Sequence, residues 1–159
     1  MKQLNEFLNY AIISTSIDNE LLEKVSEYPF FNDDLTFKEL EEKIEKDPNK
    51  RIVFNDCLRR YTKIEKEKIL QILRERNMHF INITSFIEEI LYADYLYVYD
   101  ESNLVIEGKT MEVLKEEKIL KRLGFSLPFV VDLSTQLKYY GITNKIYDDI
   151  EKLVNDLWS

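Results

Sequence analysis

The run Arg51-Ile52-Val53-Phe54-Asn55-Asp56 (RIVFND) decides how this chain is to be read. A short apolar core, β-branched in two positions and closing on a polar pair, has the form of a buried strand. A helical segment follows to about Arg76. Ile64, Ile69, Ile72 and Leu73 form its stripe, and Lys63, Lys66, Glu67, Arg74 and Glu75 its solvated face. A second strand, Met78 to Thr84, runs out at Ser85 into a short helix from Phe86 to about Tyr92. Tyr95 to Tyr99 and Leu104 to Glu107 read as two more strands, joined through the turn residues Asp100-Glu101-Ser102-Asn103 into a hairpin. Short apolar runs alternating with a 3.6-residue period are the pattern of βαβ units, so the fold class is α/β with a mostly parallel sheet. In such sheets the chemistry gathers at the carboxyl ends of the strands, here Asn55-Asp56 and Thr84-Ser85. The first strand is expected in the sheet interior, parallel to the second.

Working outward toward the amino end, residues 1–50 are the hardest to read. Leu4, Phe7, Leu8 and Ala11 share a helical face and predict a first helix, with a short strand from Ala11 to Thr15 as the alternative. A helix from Ser16 to Tyr28 would turn Ile17, Leu21, Leu22 and Val25 inward and stop at Pro29. Thr36 with Glu39 predicts a capping box for a helix to about Lys46, and Asp47-Pro48-Asn49 a turn into the strand at Arg51. Toward the other end, Thr110 is expected to cap a helix reaching Leu123, with Gly124 after it. Pro128 opens the next helix, which Gly141 ends, and a last one runs from about Asn144 with Ile146, Ile150, Leu153, Val154 and Leu157 on one stripe. The division expected is an uncertain, mainly helical segment over 1–50, an α/β core over 51–108 and a small helical subdomain over 109–159.

Composition narrows the function classes. With 159 residues, 45% hydrophobic and 33% charged, the chain is long enough to bury a real core. It carries a net charge of −8, and residues 1–50 hold 12 acids against 6 bases. An acidic chain without a basic face has no electrostatic reason to bind nucleic acid. No run of 18 apolar residues exists, so direct membrane insertion is not expected. A polar start and a single cysteine make the cytoplasm the simplest compartment. Only three glycines occur, the first at Gly108. A phosphate-cradling loop needs glycine where the backbone approaches phosphates or takes positive φ, so none is expected. Neither metal-ligand spacing nor a Ser-His-Asp set is found. His79 falls early in its strand, away from the active end, and Cys57 reads as a buried thiol.

The stretch from Arg51 to Gly108 resembles the second half of an ABC-transporter ATPase domain. Laid on that family without gaps, RIVFNDCLRRYTKIEKEKIL falls on the strand, loop and helix that carry a magnesium-holding Asp followed by a catalytic Glu. Asn55 stands in place of that Asp, Asp56 in place of the Glu, Cys57 where a Pro would be, and Thr62 where a loop Asp would be. INITSFIEEILYADYLYVYD is similar to the switch segment, with Ser85 where a γ-phosphate-contacting His belongs. EGKTMEVLKEEKILKRLGFSLPFVVDLSTQLKYYGI resembles the C-terminal extension of the ATPases of energy-coupling-factor transporters, which import vitamins, cobalt or nickel.

The resemblance implies ATP with magnesium as cofactors, a station peripheral to a membrane transporter, and an extension that helps pair two ATPase subunits. The departures imply the opposite for chemistry. A neutral amide at Asn55 cannot supply the charge that holds a magnesium hydration shell. Asp56 is one methylene shorter than Glu, and Ser85 cannot carry the charge of a His. The expectation is a degenerate, non-catalytic relative with no confident catalytic residue, no metal site and no cofactor. It would bind an ABC-type ATPase subunit or its own copy through residues 109–159. Two other readings remain open: a nucleotide-binding component whose phosphate grip comes from a partner chain, and a stand-alone interaction module that has left transport.

Overall fold

The computed structural model describes residues 3–159. It places β1 (Tyr10–Ser14), α1 (Asn19–Glu23), β2 (Phe30–Phe31), α2 (Phe37–Lys46), β3 (Arg51–Asn55), α3 (Lys63–Glu75), β4 (His79–Thr84), β5 (Tyr95–Asp100) and β6 (Asn103–Lys109) in chain order. Four helices follow: α4 (Thr110–Val113), α5 (Glu117–Arg122), α6 (Phe129–Tyr139) and α7 (Ile150–Leu157). Short 3-10 turns at Leu58–Arg60 and Ile87–Tyr92 lead out of β3 and β4.

One six-stranded sheet runs in the order β2-β3-β4-β1-β5-β6. All neighbouring pairs are parallel except the β5–β6 hairpin. As expected, β3 is an interior strand parallel to β4, with Ile52 facing Phe80 in the ladder. The open question over residues 1–50 has a clear answer: β1 enters the middle of the sheet, paired with β4 on one side and β5 on the other. Every residue of β1 is buried, the usual state of a parallel strand covered on both faces. The helical reading of Leu4 to Ala11 is therefore corrected. Asn5 to Leu8 form a turn, Phe7 points to solvent, and the buried Arg51 guanidinium takes the carbonyls of Asn5 at 2.8 Å and Leu8 at 2.9 Å. Tertiary pairing on two sides outweighs a weak helical periodicity over so few residues.

Side chains alternate across the sheet. Ala11, Ile13, Ile52, Phe54, Phe80, Leu96 and Val98 face a thick helical layer containing α2, α3 and the C-terminal helices. Tyr10, Ile12, Val53, Ile81, Ile83, Tyr97 and Tyr99 face a thinner cover made by α1 and nearby loops. The helix expected from Ser16 to Tyr28 shrinks to α1, where Asp18 caps through Leu21 N–H at 2.9 Å. α2 matches its prediction, although its cap is simpler than a full box. Thr36 accepts from Glu39 N–H, and its hydroxyl donates to the Glu39 carboxylate. Arg76 closes the other end of α2 by donating to the carbonyls of Ile44, Glu45 and Asp47.

Beyond β6 three corrections apply. Thr110 does not cap; its hydroxyl donates to Ala93 O at 2.7 Å, tying the helical region to the start of β5. The helix drawn to Leu123 is broken between Val113 and Glu117 into α4 and α5. The last helix starts at Ile150, so Ile146 lies in the preceding loop. Gly124 and Gly141 do take positive φ, 87° and 73°, where α5 and α6 end.

The centrality of β1 is directly measurable. Ile12→Ala should cost about 2–5 kcal/mol of unfolding free energy, as for a large-to-small change in a closed core. Urea unfolding monitored by circular dichroism is the check; a loss under about 1 kcal/mol would remove β1 from the sheet interior.

Candidate functional site

The parallel strands β1 to β5 present their carboxyl ends along one edge of the sheet, and three of the predicted positions gather there. β3 ends at Asn55, and the chain turns at once through Asp56, which holds a left-handed φ of 51°. Non-glycine residues adopt that region at some cost, and Asp is among those that tolerate it. The turn is held because Asp56 N–H donates to Ile83 O at 2.7 Å, prolonging the β3–β4 ladder by one step. Both carboxylate oxygens of Asp56 are engaged. The Thr84 hydroxyl donates to Oδ1 at 3.2 Å, and Arg59 Nε stands 3.5 Å from Oδ2. The same Thr84 oxygen accepts from Phe86 N–H at 3.0 Å, so one hydroxyl ties the two strand ends together. The Arg59 guanidinium lies 4.6 Å from the centre of the Phe86 ring, which steadies it as a cation over a π face. Asn55 is turned aside, its amide donating to Asn32 Oδ1 at 2.9 Å.

Ser85 sits beside this cluster, exposed to solvent. Thr62 does not join it. Its side chain caps α3 in a complete box with Glu65, Thr62 N–H to Oε1 at 3.0 Å and Glu65 N–H to Thr62 Oγ1 at 3.2 Å. Chemically, the cluster is a carboxylate whose nearest cation is the chain's own arginine. Among the described residues no group of three or more His, Cys, Asp or Glu is placed to hold a metal ion. Arg59 is the residue that sequence reasoning missed. Its three-residue spacing from Asp56 becomes meaningful only with the 3-10 turn at Leu58–Arg60.

β1 and β5 are neighbouring strands, and the turn that leaves β1 lies against the turn of the β5–β6 hairpin at this edge. The two turns are bonded to each other. Thr15 Oγ1 donates to Asp100 Oδ1 at 2.9 Å and accepts from Glu101 N–H at 2.7 Å. Thr15 N–H reaches Tyr99 O at 3.3 Å, and Ser14 Oγ lies 2.8 Å from Glu101 O and 2.7 Å from Ser16 O. Only Thr15 to Asp18 separate β1 from α1, and no glycine is among them.

Behind the edge, Asn82 breaks the apolar alternation of β4 for a reason. Its amide donates to Glu89 O at 3.1 Å, and Glu89 pairs with Lys66 of α3 at 2.6 Å with both side chains largely buried. This links β4, the turn after it and α3. His79 lies at the opposite, amino end of β4, where burial and then Arg51 push its pKa down. Cys57 is fully buried, its thiol directed at Phe31 O, and burial pushes its pKa up to about 12.

The comparisons with known proteins can now be set beside this geometry. No family model matches the chain. It is 40% identical over 99 residues to the energy-coupling factor transporter ATP-binding protein EcfA1 of Lactobacillus delbrueckii subsp. bulgaricus, a match covering 58% of this chain and 35% of the relative. It is 32% identical over 111 residues to EcfA1 of Mycoplasma genitalium, covering 67% of this chain and 40% of the relative. The chain thus spans about a third to two fifths of the length of the curated relatives it matches. Among solved structures, it is similar to CbiO1 of Clostridium perfringens, part of the ABC transporter complex CbiONQ, with 13% identity and a TM-score of 0.37 over 72% of this chain and 62% of that one. An ABC-ATPase-like segment, related to the ATP-binding subunits of energy-coupling-factor transporters, is therefore part of this chain.

Cys57 supplies a pH prediction. A thiol whose folded pKa is raised from an unfolded value of about 8.5 contributes stability that is complete below that value and lost as pH climbs toward about 12. Unfolding free energy should therefore fall between pH 8.5 and 10. Cys57→Ala should flatten that fall by up to about 1.4 kcal/mol per pH unit. An unchanged slope in the variant would contradict the burial of the thiol.

Proposed function

We propose that this chain is a non-catalytic ABC-ATPase-like protein, an accessory or interaction subunit related to the ATP-binding components of energy-coupling-factor transporters. The observation that carries the reading is the exit of β1, where only Thr15 to Asp18, without a glycine, lead into α1. Thr15 bonds to both Asp100 and Glu101, at the turn where a phosphate-cradling loop would have to open. The departures at Asn55, Asp56 and Ser85 support it, as does the pairing of Asp56 with Arg59. ATP and magnesium are accordingly not cofactors of this chain acting alone.

The interactions are assigned to residues 109–159, with an ABC-type ATPase subunit or a second copy as partner. Leu153 is buried and Leu137 partly so, but Phe129 is 64% exposed and Trp158 84% exposed. Tyr139, Tyr140, Ile142, Val154 and Leu157 are also exposed. So dense a set of apolar side chains on about a third of the chain is a surface that a partner would cover. Eight acids and eight bases over 109–159 leave little net repulsion to oppose association. No helix among the described residues is long and apolar enough to cross a membrane, so a station at a transporter would be reached through such a partner. A second reading, nucleotide binding completed by a partner chain, is favoured by one observation: Asn55, Asp56 and Ser85 still share the carboxyl edge of the sheet.

Two measurements test the proposal. Magnesium ATP should leave the melting temperature of the purified chain unchanged, whereas a ligand at 100 times its Kd would add about 2.7 kcal/mol. Phosphate release that disappears in Asp56→Ala would defeat the non-catalytic reading. Light scattering across a concentration series, alone and with an intact ABC-type ATPase subunit, should reveal association that Phe129→Asp with Trp158→Asp weakens. A chain that remains monomeric alone and in the mixture would remove the interaction role.

A further inference from the structure

The C-terminal region contains a cleft that neither the relatives nor the reading above assigns. It has a volume of about 620 Å³ and lies between α4, α6 and the loop before α7. Met111, Leu114, Leu127, Val131 and Ile146 give it an apolar floor. That size and lining belong to the range of small-molecule sites. The outer wall is fixed rather than loose. Ser134, fully buried in α6, accepts from Tyr147 N–H at 3.0 Å while donating to Val130 O at 2.7 Å. This holds Lys145 and Ile146 over the helix.

The charges on the rim decide what would fit. Three acids and three lysines line the cleft, but each acid already has a cation of its own. Glu112 pairs with Lys115 at 3.2 Å, Glu117 with Lys121 at 2.9 Å, and Asp148 with Lys152 at 3.4 Å. Lys138 and Lys145 are left as the lining cations without an ion pair among the described residues. Asn144 stands beside them as a further polar group. An apolar floor under two unpaired ammonium groups is complementary to a molecule with an apolar body and one anionic head.

We propose that this cleft binds a small amphipathic carboxylate, the chain or ring of which lies on Leu114, Val131 and Ile146 and the carboxylate of which meets Lys138 and Lys145. The proposal does not rest on the transporter reading and holds for either catalytic state of the chain.

The test is a titration of the full chain with octanoate, followed through the methyl NMR signals of Leu114, Leu127, Val131 and Ile146. Saturable shifts confined to these residues are expected. Octylammonium and 1-octanol should bind roughly tenfold more weakly or worse, and Lys138→Glu with Lys145→Glu should weaken octanoate by a similar factor. Val131→Trp, which fills the floor, should abolish the shifts, and the Lys double variant keeps the test valid if that variant misfolds. Non-saturable shifts, equal binding of the alcohol, or octanoate affinity unchanged by the charge reversal would each overturn the proposal. So would no response to octanoate at all, which would leave the cleft to a macromolecular partner.

Discussion

Two-sided hydrogen bonding of β1 is the constraint on which the rest depends. The strand lies between β4 and β5, in register from Tyr10 against Ile81 and Tyr95. Without it the sheet would fall into a β2-β3-β4 piece and a β5-β6 hairpin with no ladder between them. Isolated hairpins are at best marginal in water. The strand also carries the alternation that separates the two cores, Ala11 and Ile13 toward the helical layer, Tyr10 and Ile12 toward α1. Arg51 locks its entry by holding the Asn5–Leu8 turn, and Thr15 locks its exit by holding the β5–β6 turn. The same bonds that secure the fold at its exit also satisfy the polar groups of the carboxyl edge there.

That coincidence shows how little the frame and the edge ask of the same residues. The frame needs parallel ladders and apolar faces, and RIVF, FINI and YLYV supply them. The carboxyl edge needs only that its polar groups find partners. Asp56 finds Arg59 and Thr84, Asn55 finds Asn32, and Thr15 finds Asp100. Each of these partners satisfies a group locally, so no ligand is required to satisfy the edge.

What was legible in the sequence follows from the range of the interactions involved. β3, α3, β4 and the hairpin were readable because their periodicity, turn residues and caps act within a few residues of themselves. Thr36 and Gly124 gave themselves away for the same reason. β1 was ambiguous because four apolar residues fit a helix turn or a strand, and its partners lie far along the chain. The break between α4 and α5 was invisible because Thr110 looks like a cap but serves Ala93. At the site, the positions of Asn55, Asp56 and Ser85 were legible from the aligned strand ends. Arg59 was not, since its contact depends on a 3-10 turn that no local pattern announces.

The placement of β1 also orders events in time. During synthesis this strand emerges well before its ladder partners, which begin at Ile81 and Tyr95. Until those partners have been made, a run of apolar residues with both edges unpaired must wait. Closing such distant contacts is slow, and exposed strand edges are prone to pair with the wrong neighbour. The nascent chain, rather than the finished fold, is therefore where this architecture is most vulnerable to aggregation and most dependent on chaperones.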